Sequence, residues 1–405
     1  MIARFSKNKL WVRILIISCL AIIVRGLYWV VVPDIGAGDS SLFFHVAHGI
    51  LSGEMAVLAE FPFHIVYSLF LIPGYILPGG FSWYIPLLNI VLSAIAVIFL
   101  YLVSLEITED ESVHFITMLL VIFHPYLLHW MKYVLTEAVF IPALLVLVHL
   151  TIKILKQPES KSGLLWVLCV SLLFFTRPVS FLVLVVLGTF SLVAWSRFKF
   201  PLQWILTTGV NILVGLIVGA FVIFNPGINQ RLMKLPTIIQ SLWLSTRVVS
   251  GTFEEYKKDT LPPEISVLSV DEQWEYKKEY ALDFIQSQPL QYLSMAVKRF
   301  FNFYYPWMQP QWSIRHRIFD AILSLGMTIS VIASFRGSAE KKLILLLLGC
   351  ALALGITTAF SQIDTDGRYR LPAEILLIPV AVTGFVYIIN AMLSFWKKVV
   401  TGYKY

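Results

Sequence analysis

The chain has 405 residues, of which 58% are hydrophobic and 14% charged, and its mean hydropathy of +0.79 is too high for a soluble globular domain. A net charge of +7 could suggest nucleic acid, but the basic residues cluster at the ends of apolar stretches instead of forming one patch, which is a topology signal. Cys19, Cys169 and Cys350 all fall inside apolar stretches and imply no disulfide framework. Dinucleotide, P-loop and Cys-rich zinc patterns are absent from the sequence, and so is an internal repeat.

The composition therefore predicts an all-α polytopic membrane protein. Windows of about 20 residues place spans at Leu10 to Val32, Trp83 to Ser104, His114 to Trp130 and Ala138 to Leu155. The stretch from Leu164 to Trp195 is too long for one helix and is broken at Thr176-Arg177-Pro178, where proline removes a backbone donor and the arginine needs water or a partner. Read as two short spans, and followed by Gln203 to Phe224, Ile318 to Phe335, Leu343 to Phe360 and Leu371 to Trp396, it brings the count to about ten transmembrane helices.

Lys and Arg set the expected orientation. Arg4, Lys7, Lys9 and Arg13 precede the first span; Lys153, Lys156, Lys161, Arg197, Lys199, Arg336, Lys341 and Lys342 follow in later loops, and Lys397, Lys398 and Lys404 end the chain. All lie on one side if both termini are cytoplasmic in the inner (plasma) membrane. The short loop from Glu106 to Glu111 carries four acids and no base, against this trend, and the whole tally depends on the break at Arg177. Three parts result: residues 1-224 as an N-terminal transmembrane module with an outer, periplasmic first loop (33-82), residues 225-317 as an outer cap, and residues 318-405 as C-terminal transmembrane helices.

From Pro33 to Trp83 the only formal charges are Asp34, Asp39, Glu54 and Glu60. Asp39 to Leu51 reads as an amphipathic helix on the membrane surface, with Ser40 and Ser41 able to cap and Leu42, Phe43, Val46, Ile50 and Leu51 as its apolar stripe. Asp39 at such an interface suits general-base chemistry on a lipid-borne substrate; a helix N-cap explains its position equally. His45 and His48 share a helical face at metal-ligand spacing, so a divalent metal held with Asp39 or Glu137 is one reading and ordinary interfacial histidines are the other. No metal or other cofactor is otherwise called for. In the cap, Asp271 to Gln288 reads as a charged helix after the breaker Pro262-Pro263.

Charges at the membrane edge are costly unless paired or turned to a water-filled cavity. Lys132, Glu137, Arg177, Asp364, Asp366, Arg368 and Arg370 all fall on the side of Asp39, and acids with arginines at one depth suit a phosphate-handling cavity as well as mutual ion pairs. Glu137 also sits in a first helical turn, where the helix dipole alone favours it. Arg368 and Arg370 can share one side of an extended segment, with Tyr369 on the other. Arg25 lies within the first span and either snorkels or pairs.

Taken in order, Pro33-Asp34 to Gly38-Asp39, Phe44 to Gly53, Phe61-Pro62, His124-Pro125-Tyr126 through Leu135-Thr136-Glu137, Thr176-Arg177-Pro178 and Gly367-Arg368-Tyr369-Arg370-Leu371-Pro372 resemble bacterial GT-C class glycosyltransferases. The likeness is greatest to the branch related to protein O-mannosyltransferases and the lipid A aminoarabinose transferase. It implies a GT-C-like fold and an enzyme moving a sugar from a polyprenyl-phosphate-linked donor to a lipid, glycan or protein acceptor at the outer face, with membrane lipids and no nucleic acid as its surroundings. It also implies Asp39 as the catalytic base, and Arg177, Arg368, Arg370, Glu137, Lys132, His45 and His48 as substrate-binding residues. The family pattern often has a basic residue in the first outer loop, and this loop has none. A flippase for lipid-linked glycan, or an O-antigen polymerase or ligase, is the alternative class.

Overall fold

The computed structural model describes residues 7–33, 36, 40–54, 64–156, 160–177, 180–197, 243–247, 262–305, 314–338, 340–361 and 368–402. All regular structure among them is helical. Asp34, Asp39, Asp364, Asp366 and the expected span Gln203 to Phe224 lie outside the described residues.

Among the described residues five helices are long and apolar enough to cross a membrane, namely α1 (Lys7–Val31), α4 (Phe81–Ile107), α7 (Glu137–Lys156), α13 (Lys341–Ser361) and α14 (Leu371–Gly402). Between them run α2 (Ser40–Ser52), α3 (Ile65–Ile76), α5 (Glu111–Ile122), α6 (Pro125–Trp130), α8 (Ser160–Thr176), α9 (Ser180–Arg197), α10 (Val270–Ser287), α11 (Pro289–Tyr304) and α12 (Ile314–Gly337). The chain is thus a helical, multi-pass membrane protein by the length and apolarity of its helices.

Helix α7 is the centre of the bundle. In its most apolar window 78% of the residues are buried, against 17% for α1, and α7 is apolar on every face, as a helix surrounded by other helices must be. It packs on α4, α8 and α9. Helix α1 lies at the edge against α4 and α5, while α14 packs along α12 and α13 and exposes Phe385, Met392 and Phe395. Where α12 and α14 cross, a β-carbon on Gly384 would meet the carbonyl oxygen of Ser330 and lie 2.8 Å from the amide nitrogen of Ser334. Only glycine permits that approach of two backbones.

The break expected at Arg177 is real: α8 ends at Thr176 and α9 begins at Ser180, and because both pack on α7 the chain turns back there. Contacts between distant segments then sort the helix ends into two groups. At one end Arg13 reaches Glu111 at 2.9 Å, Lys156 reaches Glu106 at 2.7 Å, and Ser338 donates to the carbonyl of Ile107 at 2.9 Å. Two of the acids that ran against the charge trend in the loop Glu106 to Glu111 are therefore neutralised by bases of the same end. At the other end gather the start of α7, the turn after α8 and the start of α14.

The first loop differs in part from its reading. Helix α2 forms as expected, but it turns Phe43, Val46 and Ala47 inward and leaves Leu51 exposed, because the helix packs on α3, an element the sequence reading did not resolve. Helix α3 buries Tyr67, Ser68, Leu71 and Gly74, and Ser68 donates to the carbonyl of Phe43 at 3.0 Å. This pair is tied into the bundle as well as being amphipathic.

In the cap, the expected charged helix is α10, closed at its start by a capping box between Ser269 and Glu272. Helix α11 then docks on the last turn of α13. Buried Arg299 donates to the carbonyl of Ala359 at 2.7 Å and to that of Ser245 at 2.8 Å, and Tyr292 donates to the carbonyl of Phe360 at 2.5 Å. Helix C-terminal carbonyls lack partners of their own, and a cation suits that end of the dipole. The cap segment is thereby fixed to the end of the bundle that holds Glu137.

Candidate functional site

The site begins with a short irregular connection, residues 131 to 136, between α6 and α7. Asn89, a polar residue in the middle of apolar α4, holds it: the amide nitrogen donates to the carbonyls of Lys132 at 2.9 Å and Tyr133 at 3.1 Å, while the amide oxygen accepts from Tyr67 at 3.2 Å. Both N–H groups and the oxygen of the amide are thus used on backbone or a buried phenol, so the connection is rigidly placed where water cannot serve it. Ser40 donates to the carbonyl of Val134 at 3.2 Å, which anchors the start of α2 to the same connection.

Glu137 follows immediately, in the first turn of α7 and completely buried. Its Oε1 is shared by two arginines from remote parts of the chain. Nη2 of Arg177, in the turn after α8, lies 3.0 Å away, and Nε of Arg368, just ahead of α14, donates to the same oxygen. The Arg177 guanidinium also lies 4.7 Å from the ring centre of Tyr369 and 5.7 Å from that of Phe140, and its Nη1 is buried with no hydrogen-bond partner. One carboxylate thus draws two guanidiniums together in an enclosed place, where Nη1 of Arg177 remains an unused donor. Such a site has capacity for a second anion.

Residues 368 to 370 form a turn leading into α14, not the extended segment read from the sequence, and the two arginines consequently part company. Arg370 lies 2.5 Å from Glu374, one helical turn on, and the other oxygen of Glu374 lies 3.9 Å from Nε2 of His124. His124 in turn accepts from the amide of Leu127 through Nδ1 at 3.3 Å, which leaves Nε2 to carry the proton toward Glu374. Arg370 is matched one to one by an acid, and Tyr369 lies against Arg177 between the two clusters.

Lys132 joins neither. Its ammonium donates to the carbonyl of Val32 at 3.5 Å, sits 4.4 Å from the ring centre of Tyr133 and lines a separate cleft with Arg25. His45 and His48 are exposed on the outer face of α2, His48 lying edge-on to Tyr75 at 6.1 Å. Among the described residues no group of three His, Cys, Asp or Glu side chains is placed to hold a metal ion. The sequence reading did not single out Asn89, Tyr67 or Tyr369 for the site. A lone amide within a span was the legible signal for the first; the roles of the two tyrosines come only from packing.

The cluster of Glu137, Arg177 and Arg368 is thus the strongest candidate for anion handling in the described part of the chain. Comparison with protein-family models and with curated proteins finds no match to this chain.

Proposed function

We propose that the protein is an integral-membrane glycosyltransferase of the GT-C type, which moves a sugar from a polyprenyl-phosphate carrier to a lipid, glycan or protein acceptor at the outer face of the cytoplasmic membrane. The observation that carries the reading is the meeting of two guanidiniums on Glu137 with a buried donor of Arg177 left over, at the bundle end where Ser40 anchors the first loop. A phosphate leaving group needs that cationic support. With the Lys- and Arg-rich end facing the cytoplasm, this end faces outward, and the cap segment fixed by Arg299 lies beside it.

In the proposed reaction the carboxylate of Asp39 takes the proton of the acceptor hydroxyl as its oxygen attacks the anomeric carbon of the sugar. The bond from that carbon to the phosphate oxygen breaks, and its electron pair leaves on the carrier phosphate, held by Arg177 and Arg368. Glu137 positions the two arginines and keeps their separation fixed. Arg370, already matched by Glu374, supports the turn that presents Arg368.

The test is transfer from a purified polyprenyl-phosphate-linked sugar at saturating donor. Asp39→Asn keeps the shape and capping capacity of the side chain but removes the base, so transfer falls by about 100-fold or more while the protein still folds and binds donor. Asp34→Asn is the matched control and retains most activity. Transfer by Asp39→Asn at the wild-type rate removes Asp39 from the chemistry, and a wild-type protein that moves intact donor across vesicles without transferring sugar makes it a flippase.

A further inference from the structure

The reaction proposed above makes no use of Arg25. It sits inside the membrane-spanning helix α1 with only 5% of its surface exposed. Nε donates to the hydroxyl of Ser93 and Nη1 to the carbonyl of Ile122 at 3.3 Å, while Nη2 is buried without any hydrogen-bond partner. Among the described residues no carboxylate lies within ion-pair distance of it. A buried guanidinium that lacks a counter-charge is costly, so the residue marks a place where an anion is missing.

Arg25 lines a narrow cleft between α1, α4 and α6, and the ammonium-bearing Lys132 lines it too. Trp29, on the same wall, buries an indole N–H that has no acceptor. None of the lining residues is acidic. The spare Nη2 of Arg25 and the indole N–H of Trp29 call for an acceptor-rich anion, and phosphate supplies oxygens to both. The remaining walls, including Pro86, Ile90 and Met131, are apolar. Leu27 and Val30 on α1 and Leu87 and Val91 on α4, next in the chain to wall residues, are exposed on the outside of the bundle, where hydrocarbon is the surrounding solvent. Cations within and apolar helix faces around the opening fit a molecule with a charged head and a hydrocarbon tail.

We propose that this cleft binds the phosphate head group of an anionic membrane lipid, through Arg25, Lys132 and the indole N–H of Trp29, with the lipid tail lying along α1 and α4. The site shares none of its lining residues with the cluster of Glu137, Arg177 and Arg368, and it does not depend on the proposed transferase activity. A lipid there joins the edge helix α1 to the connection that positions Glu137.

The test uses the full chain purified in neutral detergent and titrated with phosphatidylglycerol, phosphatidylcholine or inorganic phosphate, with bound lipid counted by intact-complex mass spectrometry and stability read as the unfolding temperature. Wild type binds phosphatidylglycerol about 10-fold more tightly than phosphatidylcholine, the scale of one charge-assisted hydrogen bond, and inorganic phosphate does not raise the unfolding temperature. Arg25→Gln and, independently, Lys132→Gln bring the two lipids to within about 2-fold of each other. Should Arg25→Gln not fold, Lys132→Gln and photo-crosslinking of a diazirine-tagged phosphatidylglycerol to wild type decide the matter, with label expected in peptides from α1, α4 and α6. Equal affinity for the two lipids in wild type, a preference unchanged in Lys132→Gln, label confined to other helices, or stabilisation by inorganic phosphate equal to that by lipid would each overturn the proposal.

Discussion

Oε1 of Glu137 and Nη2 of Arg177 meet at 3.0 Å with the carboxylate wholly buried and the arginine side chain 7% exposed, so the start of one helix and the end of another depend on the same contact. Glu137→Ala leaves two guanidiniums facing each other in an enclosed space. Removing one partner of a buried ion pair costs about 3–5 kcal/mol, and this variant is expected to lose that much stability in detergent unfolding. Replacing both residues, Glu137→Met with Arg177→Met, is expected to cost less than Glu137→Ala alone, because Arg368, at 13% exposure, can turn toward water. A Glu137→Ala protein as stable as wild type means the pair does not hold the turn.

The two clusters predict different behaviour for the three arginines toward donor. Arg177 and Arg368 meet on one carboxylate, whereas Arg370 pairs with Glu374. Alanine at 177 or 368 is expected to weaken binding of a polyprenyl-phosphate sugar by about 10-fold or more, the loss of a charge-assisted hydrogen bond in a poorly hydrated site. Lysine at 177 recovers part of it, since a single ammonium cannot reproduce the planar fork. Arg370→Ala changes donor affinity little. Equilibrium binding with the purified variants checks this, and a dominant effect of Arg370→Ala reverses the order of the assignment.

Orientation is tested by single cysteines and an impermeant thiol reagent on intact cells, in a background without the native cysteines. Ser41→Cys, exposed at the bundle end that holds Glu137, is expected to label from outside. Cysteines at the exposed Arg336 and Lys341, at the Glu106 end, are expected to label only after the membrane is opened. Labelling of both ends from outside contradicts the turn at Arg177, on which the alternation of all later helices rests.

Helix α10 carries a pH dependence with a definite sign. The carboxylate of Glu272 accepts from the backbone N–H of Ser269 at 2.9 Å and from its hydroxyl at 2.6 Å, and these bonds favour the charged form and hold its pKa below the ordinary glutamate value. A depressed carboxylate pKa stabilises the folded form above the unfolded pKa, and that contribution is lost as pH falls through the folded value. Hydrogen exchange of the amides at the start of α10 is therefore expected to quicken on acidification below about pH 4.3. Glu272→Gln keeps a capping partner but removes this pH response, and Ser269→Ala, which deletes the cap, raises exchange at neutral pH by an amount corresponding to about 1 kcal/mol. Identical exchange in wild type and Glu272→Gln across that range removes the capping box as the cause.

Long apolar runs with basic flanks placed most of the described helices, but the expected span His114 to Trp130 is two short helices, α5 and α6, parted just before Pro125. The composition of Leu10 to Val32 or Leu343 to Phe360 admits little else, because a backbone in hydrocarbon must satisfy its hydrogen bonds within its own segment, and Thr176-Arg177-Pro178 marked a turn for the equally local reason that proline cannot continue the ladder. Asp271 to Gln288 was readable as a helix from its charge pattern alone. Helix α3 was not, because its Pro73 and its place in an apolar loop hide an element that is held by contacts with α2 rather than by its own periodicity.

For the site, the sequence by itself identified which charges are too costly to be idle: Glu137, Arg177, Arg368, Arg370, Lys132 and Arg25. It could not pair them, since an ion pair depends on where remote helices cross and not on spacing along the chain. Tertiary structure decided that Arg368 goes to Glu137 and Arg370 to Glu374, because the segment between α13 and α14 enters α14 through a turn instead of an extended strand. It also decided that Lys132 lines a cleft with Arg25 rather than joining the cluster at Glu137. Burial cost is a property of the residue and its immediate neighbours; the partner that relieves it is a property of the fold.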